Sequence, residues 1–164
     1  MTNKQASQGN PFELHRVSPH LVCDDAAAAI DFYQRAFGAV EMMRLPAPNG
    51  KIVHACVSIC DSPVMLVDES SEMGMLGPKA LGGTPVTMHL TVDDADAFVA
   101  RAAAAGAKVI MPVEDAFWGD RYGLIEDPCG HHWSVATHVR DMTPEEIQQA
   151  MLEAMPTCGP GGQE

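Results

Sequence analysis

Two stretches of the sequence follow the same pattern, and this repeat restricts the fold more than any other feature. The segments SPHLVCDDAAAAIDFY and TMHLTVDDADAFVA each run from a strand-like alternation through an Asp pair into a helix-forming stretch. When they are superposed, His20 falls on His89, an offset of 69 residues (89 minus 20), and the Asp pair at 24–25 falls on the pair at 93–94. A repeat of this length predicts two copies of one supersecondary unit.

Each copy has the element order βαβββ. In the first copy, an Asp of the pair at 24–25 caps a helix that Gly38 ends, and alternating strands follow. The Gly- and Pro-rich stretch 71–84 predicts a linker. We therefore predict an α+β fold with two tandem βαβββ modules, at about residues 15–70 and 85–139, in a single domain at 14–140. Each curved sheet carries its helix outside, and the concave faces enclose a cavity.

The two ends of the chain lie outside the repeat. Residues 1–13 are predicted to be a flexible arm, and residues 141–164 a helix followed by a disordered tail. Thr143, Pro144 and Glu146 form the start of this helix as a capping box. Its apolar face is made by Ile147, Met151 and Met155. We expect this face to pack on the domain or on a second subunit.

Charge and composition exclude several classes of partner. The formal net charge is −12, which repels nucleic-acid phosphates and anionic membranes. The sequence has no apolar run long enough to span a bilayer, and its N-terminus lacks the apolar core of a signal peptide. The five cysteines are an odd number without a CxxC motif. We therefore expect a cytoplasmic protein with free thiols.

Several histidines are predicted to face the cavity. In TMHLTV, the apolar positions should face the helix, which directs His89 toward the cavity, and the repeat does the same for His20. In KIVHACVSIC, His54 alternates with the apolar positions, and His132 shares a strand face with Ser134. These imidazoles would orient a ligand, hold a metal, or satisfy hydrogen bonds in a polar cavity.

Two further residues are candidates for ligand binding. Trp118 and Arg121 stand close together in FWGDRYG, and an aromatic ring beside a guanidinium suits a flat or anionic small molecule. The alternatives are plain packing for Trp118 and an ion pair with Asp120 or Asp115 for Arg121.

The stretch EDPCGHHWSVATH is rich in residue types that bind metals: Cys129, His131, His132 and His138. Neighbouring residues on a strand point to opposite faces, so these side chains would diverge. DPCG is better explained as a turn, in which Gly130 takes the unusual backbone angles. We expect His131 to point outward near this turn.

The sequence resembles the vicinal oxygen chelate superfamily, also called the glyoxalase, bleomycin-resistance and dioxygenase superfamily. The resemblance rests on DDAAAAIDFYQRAFGA, VTMHLTVDD, FWGDRYGLIEDPCGHHW and the repeat itself, and it covers about residues 15–140. Within this superfamily the chain is most similar to the PhnB-like branch. The resemblance implies the paired-module fold of the dihydroxybiphenyl dioxygenases and a homodimer. It leaves the function open, because isomerases, dioxygenases, thiol transferases and drug-binding proteins share this fold.

The resemblance also implies where a metal would bind. Metal-dependent relatives use His, Gln or Glu on the first and last strand of each module. The matching positions of this chain are Ser18, Leu66, Thr87 and Ser134. This set suits no divalent metal. We therefore predict a small-molecule-binding protein that has no cofactor and no metal at these positions.

A metal-dependent enzyme is the alternative. Such a lyase, isomerase or dioxygenase would use a shifted site for Zn, Fe or Ni in the same cavity. The shifted site would consist of His20 and His89, with His54 or His132.

Overall fold

Two βαβββ modules follow one another along the chain, as the repeat predicts. The computed structural model describes residues 14–154, so the arm expected at 1–13 and the tail expected after residue 154 lie outside the described residues. Module one consists of β1 (His20–Cys23), α1 (Ala26–Phe37), β2 (Val40–Pro46), β3 (Ile52–Ile59) and β4 (Ser62–Asp68). Module two consists of β5 (Thr87–Thr91), α3 (Ala95–Ala105), β6 (Lys108–Asp115), β7 (Asp120–Glu126) and β8 (His132–His138).

The linker between the modules is more ordered than its composition predicts. It contains a 3₁₀ turn at Ser71–Met73 and a short helix, α2, at Pro78–Leu81. Pro78 lies at the start of α2, where its missing N–H costs nothing, and Gly82 ends the helix with φ of 76°.

The strand order is the same in both sheets. Module one has the order β1-β4-β3-β2, and module two has β5-β8-β7-β6. His20 pairs with Met65 across β1 and β4, and His89 pairs with Ser134 across β5 and β8. The offset of 69 residues therefore extends from the first strand of each module to the last (134 minus 65). The predicted α+β fold of two tandem modules is confirmed.

Both long helices begin in the same way. The side-chain oxygens of Asp25 and Asp94 each accept the backbone N–H three residues further on, at 2.9 Å. Asp68 and Thr137, which occupy equivalent places on the last strands, accept the first N–H of α1 and α3 at 2.7 and 2.8 Å. These contacts satisfy N–H groups that a helix leaves without partners at its start.

One hydrophobic core lies under both modules. Phe37 of α1 stacks on Phe98 of α3, with 5.2 Å between ring centroids. Trp133 of β8 contacts Tyr33 and Phe37, at centroid distances of 5.4 and 5.0 Å. Because an aromatic residue of module two packs on the helix of module one, the two modules form one cooperative unit.

The concave faces of the two sheets stay open in the single chain. The sheets do not close into a barrel among the described residues, and both His20 and His89 are exposed to solvent.

The C-terminal helix α4 spans Pro144–Ala154. Its predicted capping box is present, since Glu146 accepts the Thr143 N–H at 2.7 Å and Thr143 accepts the Glu146 N–H at 3.2 Å. None of its described residues is buried, but Ile147 and Met151 on its apolar face are half-buried, so this face is only partly covered. No helix of the described part of the chain is long and apolar enough to cross a membrane.

Candidate functional site

The concave face of module two gathers residues from three neighbouring strands. In the register of the sheet, β8 places Ser134 beside His89 of β5 and places Ala136 beside Tyr122 of β7. Trp133 and the other alternate residues of these strands point into the core. The small residues Ser134 and Ala136 therefore form a floor between the two larger rings.

His89 is anchored to this floor. Its Nδ1 lies 2.8 Å from Oγ of Ser134, while the residue as a whole remains exposed. The His89 ring is nearly parallel to that of Tyr122, with 18° between their planes and 6.5 Å between centroids.

An aromatic wall continues from Tyr122. Trp118 meets Tyr122 edge to face at a centroid distance of 5.3 Å, and it meets Phe117 at 4.9 Å. The indole N–H of Trp118 donates to Asp120 at 2.9 Å, which fixes the ring. Tyr122 was not predicted from the sequence. Side chains of a strand alternate between its two faces, so the stretch RYGLIE places Tyr122 on the same face as Glu126.

Two other histidines on this face have carboxylate partners. His132 Nε2 lies 3.3 Å from Glu126 Oε2. His138 lies between Asp120 and Asp141, at 2.9 and 3.0 Å, and hydrogen bonds to Asp120 first and Asp141 second raise the pKa of His138.

The concave face of module one carries a different histidine pair. His20 and His54 meet edge to face with 5.8 Å between ring centroids. Burial first, and then the charge of His54, lowers the pKa of His20. His20 and His89 thus occupy equivalent positions but have different neighbours.

One of the positions assigned by resemblance must be corrected. Leu66 is fully buried in the core, whereas Met65 pairs with His20 as Ser134 pairs with His89. The counterpart of Ser134 is therefore Met65, because a shift of one residue moves a side chain to the opposite face.

The described residues do not assemble the shifted metal site. They contain no group of three or more His, Cys, Asp or Glu side chains close enough to hold a metal ion. At the positions taken from the resemblance, the Ser18 hydroxyl donates to the His15 carbonyl at 3.1 Å, and Thr87 is exposed.

Arg121 lies away from the aromatic wall. Its Nη2 and Nε donate to both oxygens of Asp96 at 2.6 and 3.1 Å, and Nη1 donates to Asp115 at 3.1 Å. These bonds, with Asp96 first, raise the pKa of Arg121. The pairing with Asp115 is the alternative that the sequence left open, whereas Asp96 was not anticipated. Arg121 ties α3 to the sheet, so its prediction as a ligand-binding residue is not supported.

DPCG forms a turn, as the sequence predicts. Asp127 accepts the backbone N–H groups of Cys129 and His131 at 2.9 and 3.0 Å, and Gly130 has φ of 91°. The second oxygen of Asp127 accepts the Tyr33 hydroxyl, which reaches across from module one.

His131 does not point outward, contrary to the prediction. It is only 9% exposed, and its Nε2 lies 3.0 Å from the carbonyl oxygen of Val22. Cys129 is also buried beside β1 and α1, with its sulfur 3.9 Å from the Asp25 carbonyl. The turn therefore joins the two modules.

Two βαβββ modules with open concave faces define the class of protein. A model of the Glyoxalase/Bleomycin resistance protein/Dioxygenase superfamily matches residues 13–135. The chain belongs to this superfamily.

Relatives cover most of the chain. A protein of Mycobacterium bovis, described only as uncharacterized, is 54% identical over 138 residues, which are 82% of this chain and 91% of the relative. The solved structure of TioX from Micromonospora sp. ML1 is 31% identical with a TM-score of 0.61, and the match covers 76% of this chain and 99% of TioX. A PhnB protein from Bacillus cereus, with 14% identity and a TM-score of 0.59 over 75% of this chain and 99% of that one, shares the fold alone.

Proposed function

We propose that the protein binds a flat small organic molecule on the concave face of module two. The observation that supports this proposal is the wall formed by Trp118, Tyr122 and His89 beside the small residues Ser134 and Ala136. Apolar rings with a few placed polar groups are the usual lining of a small-molecule site.

The physical basis is stacking. A ring that packs on an aromatic wall gains about 0.5–1.5 kcal/mol beyond the area that it buries. Trp118 is already held by Asp120, so binding need not order that side chain again. Binding without catalysis agrees with the lack of a suitable ligand set at Ser18, Met65, Thr87 and Ser134.

We further propose that two copies of the chain form a homodimer in the cytoplasm. Exposed apolar side chains on the edge strand β6 and on α4 favour cover by a second copy: Val109, Ile110, Met111 and Leu152. The four cysteines of the described residues are free, as in a reducing compartment. Light scattering at micromolar concentration should show twice the chain mass of 17.5 kDa. A species of single-chain mass would contradict the dimer.

The binding proposal can be tested by tryptophan fluorescence. The chain has two tryptophans, and Trp133 is buried in the core at 1% exposure while Trp118 lies on the concave face. A flat aromatic probe such as naphthoate should quench the emission of Trp118. Trp118→Phe should remove this response, and Tyr122→Leu should weaken binding. Quenching that survives Trp118→Phe would refute this location.

A metal-dependent lyase, isomerase or dioxygenase is the second candidate, and His20 and His54 are the observation in its favour. Their rings are 5.8 Å apart on one concave face and would supply two imidazole ligands, with the rest from a second copy. Elemental analysis of purified protein decides between the candidates. Stoichiometric Zn, Fe or Ni that is lost in a His20→Ala/His54→Ala variant would favour the enzyme.

A further inference from the structure

We infer that Ser134 fixes the proton of His89 on Nε2, so that the site selects flat molecules that carry an acceptor oxygen. The choice of ligand class rests on the proposed function, whereas the position of the proton on the His89 ring does not. A ring of the ligand would pack beside Tyr122 while its carbonyl or carboxylate oxygen accepts the His89 Nε2–H.

The argument begins with the Ser134 hydroxyl. Ser134 is 3% exposed, so its O–H needs an acceptor within the protein. In the described part of the chain two acceptors are in reach: Nδ1 of His89 at 2.8 Å and the carbonyl oxygen of Met88 at 3.5 Å. The shorter distance matches a normal O–H hydrogen bond, and the longer one is at the limit. We assign the Ser134 proton to the shorter contact, because donation to Met88 at 3.5 Å would leave a buried hydroxyl poorly satisfied.

This hydrogen bond decides the tautomer of His89. A nitrogen that accepts a hydrogen bond carries no proton, and a neutral imidazole then carries its proton on the other nitrogen. Nε2 becomes the donor. It has no hydrogen-bond partner among the described residues, and His89 itself is exposed. One N–H group is thus left for a ligand next to the aromatic wall.

Module one lacks this arrangement. The position equivalent to Ser134 is Met65, whose thioether has no proton to donate, and His20 lies against His54 instead. The two concave faces therefore differ in chemistry although their strands match. His20 provides a matched internal control.

The first test measures the imidazole without any ligand. Nitrogen NMR of the histidine rings in the neutral form should show His89 protonated on Nε2 alone. Ser134→Thr retains a hydroxyl and should preserve this state, whereas Ser134→Asp offers a carboxylate acceptor and should move the proton to Nδ1. The signals of His20 should stay unchanged in both variants. A wild-type His89 protonated on Nδ1, or a tautomer unaffected by Ser134→Asp, would overturn the inference.

The second test uses three probes with one ring system: naphthoate, naphthamide and methylnaphthalene. One hydrogen bond of about 1.4 kcal/mol corresponds to tenfold in affinity, so the two oxygen-bearing probes should bind about tenfold more tightly than methylnaphthalene. His89→Ala should abolish this difference, and His89→Gln, which retains an N–H near the Nε2 position, should keep part of it. His20→Gln is the control and should change nothing.

The outcomes separate the inference from the proposed function. Equal binding of all three probes at the Trp118 wall would refute the role of His89 and leave the proposed function standing. No binding of any probe would overturn both the proposed function and the ligand class. A preference for naphthoate over naphthamide would indicate an anionic ligand, and equal affinity for the two would indicate a neutral carbonyl as sufficient.

Discussion

Replacing Tyr33 with Phe should destabilise the protein through one buried hydrogen bond. The Tyr33 hydroxyl donates to Asp127 Oδ2 at 2.5 Å, and both residues are buried, at 0% and 4% exposure. Trp133 donates to the same oxygen at 2.9 Å and, among residues 14–154, would be the only side chain left that donates to it after the change. A hydrogen bond to a charged group contributes about 1.5–3 kcal/mol. The ring contacts of Tyr33 need no hydroxyl, so the substitution isolates this one interaction.

The assay is denaturation by urea and by heat. The free energy of unfolding should fall by about 1.5–3 kcal/mol, with the urea m-value unchanged. For a chain of this length, each kcal/mol lowers Tm by about 2–4 °C. Tyr122→Phe is the matched control, because the Tyr122 hydroxyl has no hydrogen bond to the described residues. If Tyr33→Phe costs no more than the control, the buried Asp127 cluster does not hold the modules together as argued.

The same residue predicts the behaviour at alkaline pH. Burial first, and then the Asp127 charge, raises the pKa of Tyr33 well above its ordinary value of 10.0. The unfolded chain ionises this phenol near its ordinary pKa, whereas the folded chain keeps it protonated. The stabilising contribution is therefore complete below pH of about 10 and falls above it. Tyr33→Phe should show a shallower loss of stability there, and equal slopes for the two proteins would contradict the assignment.

Two further predictions concern the region around β7. Gly119 has φ of 101°, and a Cβ there would lie 2.3 Å from the Arg140 carbonyl oxygen, so Gly119→Ala should destabilise by about 2–4 kcal/mol. Gly50 is the control, because it has φ of 84° but open space around it, and Gly50→Ala should destabilise by about 1 kcal/mol in the same denaturation assay. Equal destabilisation by the two substitutions would exclude a clash between the new Cβ at Gly119 and the Arg140 carbonyl oxygen. His138 has a pKa raised by two carboxylates, so its contribution to stability is complete below the unfolded pKa and is lost as pH rises through the folded value. The destabilisation by His138→Ala should therefore be larger at acidic than at alkaline pH and should shrink with added salt, and a pH-independent effect would refute the charge pairing.

Local chemistry was enough to predict the modules and the ends of their helices. Asp25 and Asp94 cap α1 and α3, and Gly38 ends α1 with φ of 68°, because caps and left-handed turns depend on residues within a few positions of each other. The repeat then predicted that the same βαβββ unit occurs twice, which gives the two-module fold. Alternation also placed His54, His89 and His132 on the correct strand faces, since the period of a strand is two residues.

Prediction failed where the answer depended on residues far apart in the chain. The choice of Leu66 is a slip of one residue: the repeat offset of 69 residues leads from Ser134 to Met65, and the strand pairing shows the same position. His131 is buried because its turn packs on β1, more than one hundred residues earlier, against the Val22 carbonyl. Arg121 bonds to Asp96 of α3, a helix that the sequence could not place against β7.

The sequence by itself determined the two-module fold and the formal net charge of −12. Only the tertiary structure brought His89 to Ser134 and set Tyr122 beside Trp118 on an open concave face. The physical reason is the separation along the chain over which each effect acts. Propensity, capping and alternation act between near neighbours in the chain, whereas hydrogen bonds and ring contacts between strands depend on the register of the sheet.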